Sequence, residues 1–296
     1  MRALAALAVP AIAGLVALVR RWLRESVENS ACDIVVKLGG SAITKKSQFE
    51  TLNEEALHAA AAALAAGGQR AVVLHGAGSF GHFQAREYGV SKGVSHPTFS
   101  WRGFALTRAS VTKLNHLCVG ALLREGVDAV SVSPFPRWTT AAKTVAHSGL
   151  AELRETLAIG LTPVLHGDAV LDSTQGATIL SGDTLVVRLA EALRPRLVVF
   201  LTDVAGVYDR PPTEAGATLL RRLAVDRRGN LASASTVSTT TAAHDVTGGL
   251  ATKLVAAAQC AACGVPVVIV EVGTVHAETA LRGEVPEVCT LVTRGL

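Results

Sequence analysis

Ala71-Val72-Val73-Leu74-His75-Gly76-Ala77-Gly78-Ser79-Phe80-Gly81-His82 is the stretch on which the reading of this chain turns. Its apolar opening, Ala71 to Leu74, reads as a buried strand, and Phe83 to Tyr88 beyond it is helix-compatible. A strand that feeds a glycine turn and then a helix aims free backbone N–H groups and a helix dipole at an anion. Gly76, Gly78 and Gly81 let the main chain approach a phosphate closely. His75 and His82 bracket the turn, and His82 follows the last glycine, where its side chain could reach a bound phosphate.

Working outward, the same grammar repeats. Ile34 to Leu38 reads as a strand ended by Gly39-Gly40-Ser41, and Glu54 to Ala66 as an alanine-rich helix closed by Gly67-Gly68. Helices are expected at Leu106 to Arg124, Leu150 to Ile159, Thr184 to Leu193 and Leu250 to Cys263. Strands are expected at Ala129 to Val132, Thr162 to Leu165, Leu197 to Leu201 and Val265 to Val270. Arg210 to Ala243 is turn-rich and low in complexity and reads as an exposed excursion, a hairpin with a mobile tip. Alternating strands and helices predict an α/β fold with a largely parallel sheet. Right-handed crossovers place the turns at 39–41, 76–81 and 248–249 on one sheet edge, where two phosphate-bearing ligands can face each other.

Composition agrees with this class. The 296 residues are 49% hydrophobic and 18% charged, with aromatics at only 4%, so small aliphatic layers build the core. A net charge of +4 without a clustered basic stripe speaks against a nucleic-acid partner. Five scattered cysteines make no disulfide framework, and Cys260-Ala-Ala-Cys263 lacks the second pair or nearby histidine of a zinc site. Both are read as helix cysteines.

Residues 1–30 stand apart as a hydrophobic N-terminal extension, leaving 31–296 as one domain. Residues 3–19 carry no charge, with Arg2 before them and Arg20, Arg21 and Arg24 after. The segment reads as a membrane attachment or an organelle-targeting extension. As an anchor it would hold the domain in the cytoplasm.

No Gly-x-x-x-x-Gly-Lys-Ser/Thr loop and no protein-kinase motif set is present. Gly76-Ala77-Gly78-Ser79-Phe80-Gly81 matches a dinucleotide fingerprint, but the nearby acid, Glu87, comes too soon and a strand and helix precede the loop's own strand. Phosphoryl transfer needs charge neutralisation and in-line positioning. For that the chain offers Lys37, Lys45, Lys46 and Lys253, with Asp168, Asp183, Asp203 and Asp245 to hold lysines or contact Mg²⁺.

Lys37-Leu38-Gly39-Gly40-Ser41, His75 to His82, His166-Gly167-Asp168, Ser181-Gly182-Asp183, Thr202-Asp203 to Tyr208 and Asp245 to Lys253 together resemble the ordered motifs of the amino-acid kinase superfamily. Within it the set resembles the isopentenyl phosphate kinases in their plant and algal form. The resemblance implies a three-layer αβα sandwich, a homodimer, and ATP- and Mg²⁺-dependent phosphorylation of isopentenyl phosphate. By position it implies that Lys37, Gly39, Gly40 and Ser41 meet the ATP phosphates and that Lys46 supports the transferring group, with Lys45 the alternative one residue earlier. Asp183 would organise the catalytic lysines and Lys253 would hold ATP from the far side. Asp203, Tyr208 and Gly248 match the nucleotide pocket; Gly76, Ala77, Gly81, His82 and Gly167 match the acceptor site, with His82 on the monophosphate. No protein side chain is implied as a metal ligand. Ala77 stands where the archaeal form has glycine, which is tolerable if φ there is negative. A pocket for the five-carbon tail is expected near Phe83, Trp101 and Phe104. Two other readings compete: a kinase of the same fold acting on another small phosphate or carboxylate, and a membrane-tethered sensor that binds nucleotide without turnover.

Overall fold

The computed structural model describes residues 32–231 and 248–295. The N-terminal extension and Asp245 fall outside the described residues. In chain order the elements are β1 (Ile34–Leu38), α1 (Gly40–Ile43), α2 (Glu54–Gly67), β2 (Ala71–His75), α3 (Gly78–Glu87), α4 (Trp101–Arg124), β3 (Ala129–Ser131), β4 (Thr139–Ala141) and β5 (Thr144–His147). Then follow α5 (Leu150–Ala158), β6 (Thr162–His166), β7 (Asp168–Asp172), β8 (Gly176–Leu180), α6 (Gly182–Leu193), β9 (Leu197–Thr202), β10 (Arg222–Val225), α7 (Gly248–Ala262), β11 (Val267–Glu271), α8 (Val275–Leu281) and β12 (Thr290–Arg294).

An eight-stranded sheet runs β10-β12-β11-β9-β1-β2-β6-β3. It is parallel from β11 to β3, and β12 is antiparallel to β11. β1 lies at its centre, its Ile34 level with Ala71 of β2 and Leu197 of β9. Strand side chains alternate between faces, and the two apolar clusters divide accordingly. Val35, Val72, Leu74, Val198 and Phe200 join α5, α6 and α7 on one face. Ile34, Val36, Val73, Val199 and Leu201 join α1, α2, α4 and α8 on the other. The result is the expected three-layer αβα sandwich.

Helix α4 starts at Trp101, five residues before the expected Leu106, and two features of the sheets also depart from the sequence reading. Arg222–Val225 lies within the segment read as an exposed excursion, yet it pairs with β12 at the sheet margin. Its alternation of exposed Arg222 and Ala224 with buried Leu223 and Val225 is the mark of a half-covered strand. Residues 232–247, the expected tip, lie outside the described residues. A second, four-stranded sheet, β5-β4-β7-β8, was not read from the sequence either. Its strands are short, and polar residues such as Thr139, Thr140 and Thr144 hide the apolar pattern.

Candidate active site

The glycine turns after β1 and β2 meet backbone to backbone. A Cβ on Gly40 would lie 2.6 Å from the Gly78 nitrogen, and one on Gly76 would lie 2.8 Å from the Gly40 nitrogen. Only glycine allows this approach. Gly78 also has φ +50°, and the Thr44 hydroxyl pins the junction by donating to the Gly40 carbonyl and accepting from the Ser79 N–H. Helix α3 begins at Gly78, several residues before the Phe83 start expected from the sequence, so Gly81 is helical. A Cβ at Gly81 would lie 2.6 Å from Val111 of α4, so this glycine serves helix packing. Ala77 has φ −68°, which accommodates its methyl group. Neither α1 nor α3 has a side-chain cap at its first turn.

Both turns open into a cavity of about 720 Å³. Lys37, Gly40, Ser41, Lys46, Gly76, Ala77, Gly81, His82, Gly167, Asp183, Asp203 and Lys253 all line it. Gly39 lies just behind: its N–H donates to the Leu201 carbonyl at 2.8 Å, and a Cβ on it would be 3.8 Å from the Lys253 ammonium. Gly248 starts α7, the helix that carries Lys253. Tyr208 does not line the cavity; it bridges to Leu219 beyond it.

Lys37 is buried on β1, paired with Asp183 at the start of α6, and its ammonium lies 5.1 Å from the centre of the Phe200 ring. Burial pulls the Lys37 pKa down, and the Asp183 carboxylate beside it opposes that shift. Lys253 is also drawn below the usual lysine range, by burial and then by the nearby Lys37 charge. Asp203 accepts from the Ser41 hydroxyl at 3.2 Å and lies 3.8 Å from the Lys46 ammonium. Lys46 lines the cavity, whereas Lys45 is exposed outside that lining. On the same cavity, His82 is pushed below the ordinary histidine value by desolvation, then by Arg86 and Lys46.

The apolar wall is not where the sequence placed it. Ala85, Thr107, Val111 and Ile179 line the cavity. Phe83, successive to His82 and therefore about 100° round α3, turns away and packs edge-on against Phe49. Trp101 and Phe104 pack with each other and with Phe99 and Phe135. Helical spacing from His82 would have found Ala85 and Arg86; Ile179 belongs to the sheet that the sequence did not disclose.

Asp168 lines the same cavity but is committed elsewhere. It accepts from Arg108 at 3.2 Å, from Ser133 at 3.2 Å and from the Ala169 N–H at 2.9 Å. Burial raises its pKa to about 6, with Arg108 opposing. Beneath the floor, His75 and His166 stack at 5.6 Å and brace the paired ends of β2 and β6. Cys260 is buried and Cys263 half-buried, both free thiols, as read from the sequence.

The oxygen donors around the cavity bear on Mg²⁺. Among the described residues no three His, Cys, Asp or Glu side chains gather as a metal cage. Asp183 and Asp203 each already face a lysine. Such a set fits a cation that arrives on nucleotide phosphates, with at most one or two protein oxygens added.

Residues 34–271 match the model of the amino acid kinase family. The chain is 42% identical to an isopentenyl phosphate kinase of Arabidopsis thaliana, over 84% of this chain and 90% of that protein. It is 37% identical to one from Methanothermobacter thermautotrophicus, over 75% and 84% of the two chains. A crystallographic isopentenyl phosphate kinase superposes with a TM-score of 0.74 at 32% identity, covering 88% of this chain and 99% of that one. By family model, sequence and fold together, the chain belongs to the amino acid kinase family, in its isopentenyl phosphate kinase branch.

Proposed function

We propose that this protein transfers the γ-phosphoryl group of ATP to isopentenyl phosphate, giving isopentenyl diphosphate and ADP. The observation that carries the reading is the contact of the Gly40 and Gly76–Gly78 turns, which brings two anion-facing backbones to one cavity. An oxygen of the acceptor phosphate forms the new bond to the γ-phosphorus, and the bond to the β-phosphate oxygen breaks, its electron pair leaving with ADP. Little covalent help is required; the protein positions the groups and neutralises charge.

In this scheme the Gly39–Ser41 turn cradles the ATP phosphates. Lys37 and Lys253 approach the transferring group from opposite sides, and Asp183 fixes Lys37. Lys46 supports the phosphoryl group as it moves, with Asp203 setting its reach. Asp203 and Gly248 attend the nucleoside end. On the acceptor side, Gly76, Ala77, Gly81 and Gly167 shape the monophosphate site and His82 donates to it. Mg²⁺, bound with ATP, would add charge neutralisation at the phosphates, and Asp183 or Asp203 could add a protein oxygen to it.

An ADP-release assay on the full chain tests this. Isopentenyl phosphate, dimethylallyl phosphate and small carboxylates are compared at saturating ATP. Turnover of isopentenyl phosphate is expected; preference for a carboxylate would replace the reading with another kinase of the fold. Nucleotide binding without ADP release would leave the sensor reading.

Domain organisation and assembly complete the proposal: a catalytic domain over 31–296, a homodimer, and an extension that attaches to a membrane or directs the chain to an organelle. No helix among the described residues is long and apolar enough to cross a membrane. Sedimentation reads the assembly. Imaging of the tagged full-length chain beside one lacking the first 25 residues reads the extension.

A further inference from the structure

The charges around the cavity are unevenly matched. On the donor side Lys37 faces Asp183 and Lys46 faces Asp203, buried Lys253 makes no ion pair among the described residues, and Asp168 is held by Arg108. On the acceptor side Arg86 and Lys92 line the cavity, and neither makes an ion pair among the described residues. Arg86 is one helical turn beyond His82 on α3, so the two side chains share a face, and the guanidinium is close enough to help depress the imidazole.

Lys92 ends a 3₁₀ turn, Val90–Lys92, whose frame is fixed. Gly89 at φ +55° and Gly93 at φ +84° bound it. The Gln175 side chain donates to the Ser91 carbonyl at 3.2 Å, and the Val94 N–H donates to the Gln175 carbonyl at 2.9 Å. A Cβ at Gly93 would lie 2.6 Å from that carbonyl. The turn is therefore seated on the loop between β7 and β8, and its lysine emerges from a held backbone.

We propose that Arg86 and Lys92 form an anion-collecting rim that selects a doubly charged phosphate monoester over a singly charged acid as acceptor. The proposal rests on the acceptor assignment made above and extends it to two residues that the motifs do not include. The rim acts through charge: a dianion gains about twice the Coulomb energy of a monoanion in the same field. Because both side chains are exposed, salt weakens that gain. A surface arginine or lysine is ordinarily a solvated charge of no consequence, and the experiment is chosen to separate that case.

Arg86→Gln, Lys92→Gln, the double variant and Arg86→Lys are compared with the unaltered full-length protein in the ADP-release assay, at several ionic strengths. Each lost charge is expected to raise the KM for isopentenyl phosphate roughly fivefold, the scale of an exposed ion contact. The KM for ATP should hold, Arg86→Lys should recover most of the loss, and the double variant should flatten the salt dependence of kcat/KM. Unchanged acceptor KM and salt slope would overturn the rim, as would an equal rise in both KM values. The unaltered protein separates this claim from the substrate reading. If it turns over isopentenyl phosphate while the variants match it, the rim alone fails. If it does not, the substrate reading fails, and the same variants are read on its best acceptor, where insensitivity would overturn the rim as well.

Discussion

His82 was legible in the sequence because it follows a glycine run, and the structure sets it on the wall of the cavity that the lysines also line. A hydrogen bond to a charged group contributes roughly 1.5–3 kcal/mol. His82→Ala is therefore expected to raise the KM for isopentenyl phosphate at least tenfold with the KM for ATP unchanged; steady-state kinetics with each substrate varied in turn would show otherwise if both rose together. Arg108 carries a different prediction. Its partner Asp168 has a fully buried side chain, so Arg108→Ala would strand a carboxylate in the interior. The expected loss is about 3 kcal/mol of stability, read as a lower urea midpoint, and an unchanged midpoint would show that the carboxylate finds other partners. Arg108 itself gave no sequence signal: it is one arginine on a long helix, and only the fold reveals what lies 60 residues further along the chain at Asp168. Between Lys45 and Lys46 the resemblance favoured Lys46 with Lys45 as the alternative, and Lys46 is the one that lines the cavity, because which way each side chain leaves an irregular turn is not written locally.

At the level of elements, the strand–turn–helix units were readable because each feature has a local cause: β-branched runs, glycine at the turn, alanine-rich helices. Strand ends shifted by a residue or so, and α3 began early because its glycines look like loop residues from sequence alone. The second sheet and β10 escaped because short half-exposed strands depend on partners distant in sequence. The junction of the two turns makes its own prediction. Gly40→Ala would force the Gly78 backbone to move, since their separation leaves no room for a methyl group. Misplacement on the ångström scale costs about two orders of magnitude in rate, so kcat should fall on that scale while circular dichroism stays native. A mild KM effect on ATP alone would show that the turns move independently.

Across the whole molecule, the most consequential buried polar pair sits at the paired ends of β2 and β6. His75 is held down to about pKa 3 and His166 to about 4, chiefly by burial, and the two rings stack. With Asn115 donating to its Nε2, His75 carries its proton on Nδ1 and bonds the Gly76 carbonyl. Unfolded histidines titrate near 6.5, so below that value the unfolded chain binds more protons than the fold. Stability is then lost as pH falls from about 6.5 toward the folded values, by up to about 1.4 kcal/mol per pH unit for each histidine. Urea unfolding at pH 7.5, 6 and 5 should show that decline, shallower in His166→Gln, and a flat profile would contradict it. The largely parallel sheet, the layered αβα plan and the shared edge of the turns were foreseeable; the strand order and the charge ledger around the cavity were not, because they depend on which strands and side chains find partners distant in sequence. One more consequence follows from the touching turns. With Gly40 and Gly76 in backbone contact on one cavity, the proposed donor and acceptor would share a single chamber, so a single displacement would suffice with no phosphorylated enzyme in between. Transfer from ATP made chiral at its γ-phosphorus should then proceed with inversion of configuration, the stereochemical signature of one direct step.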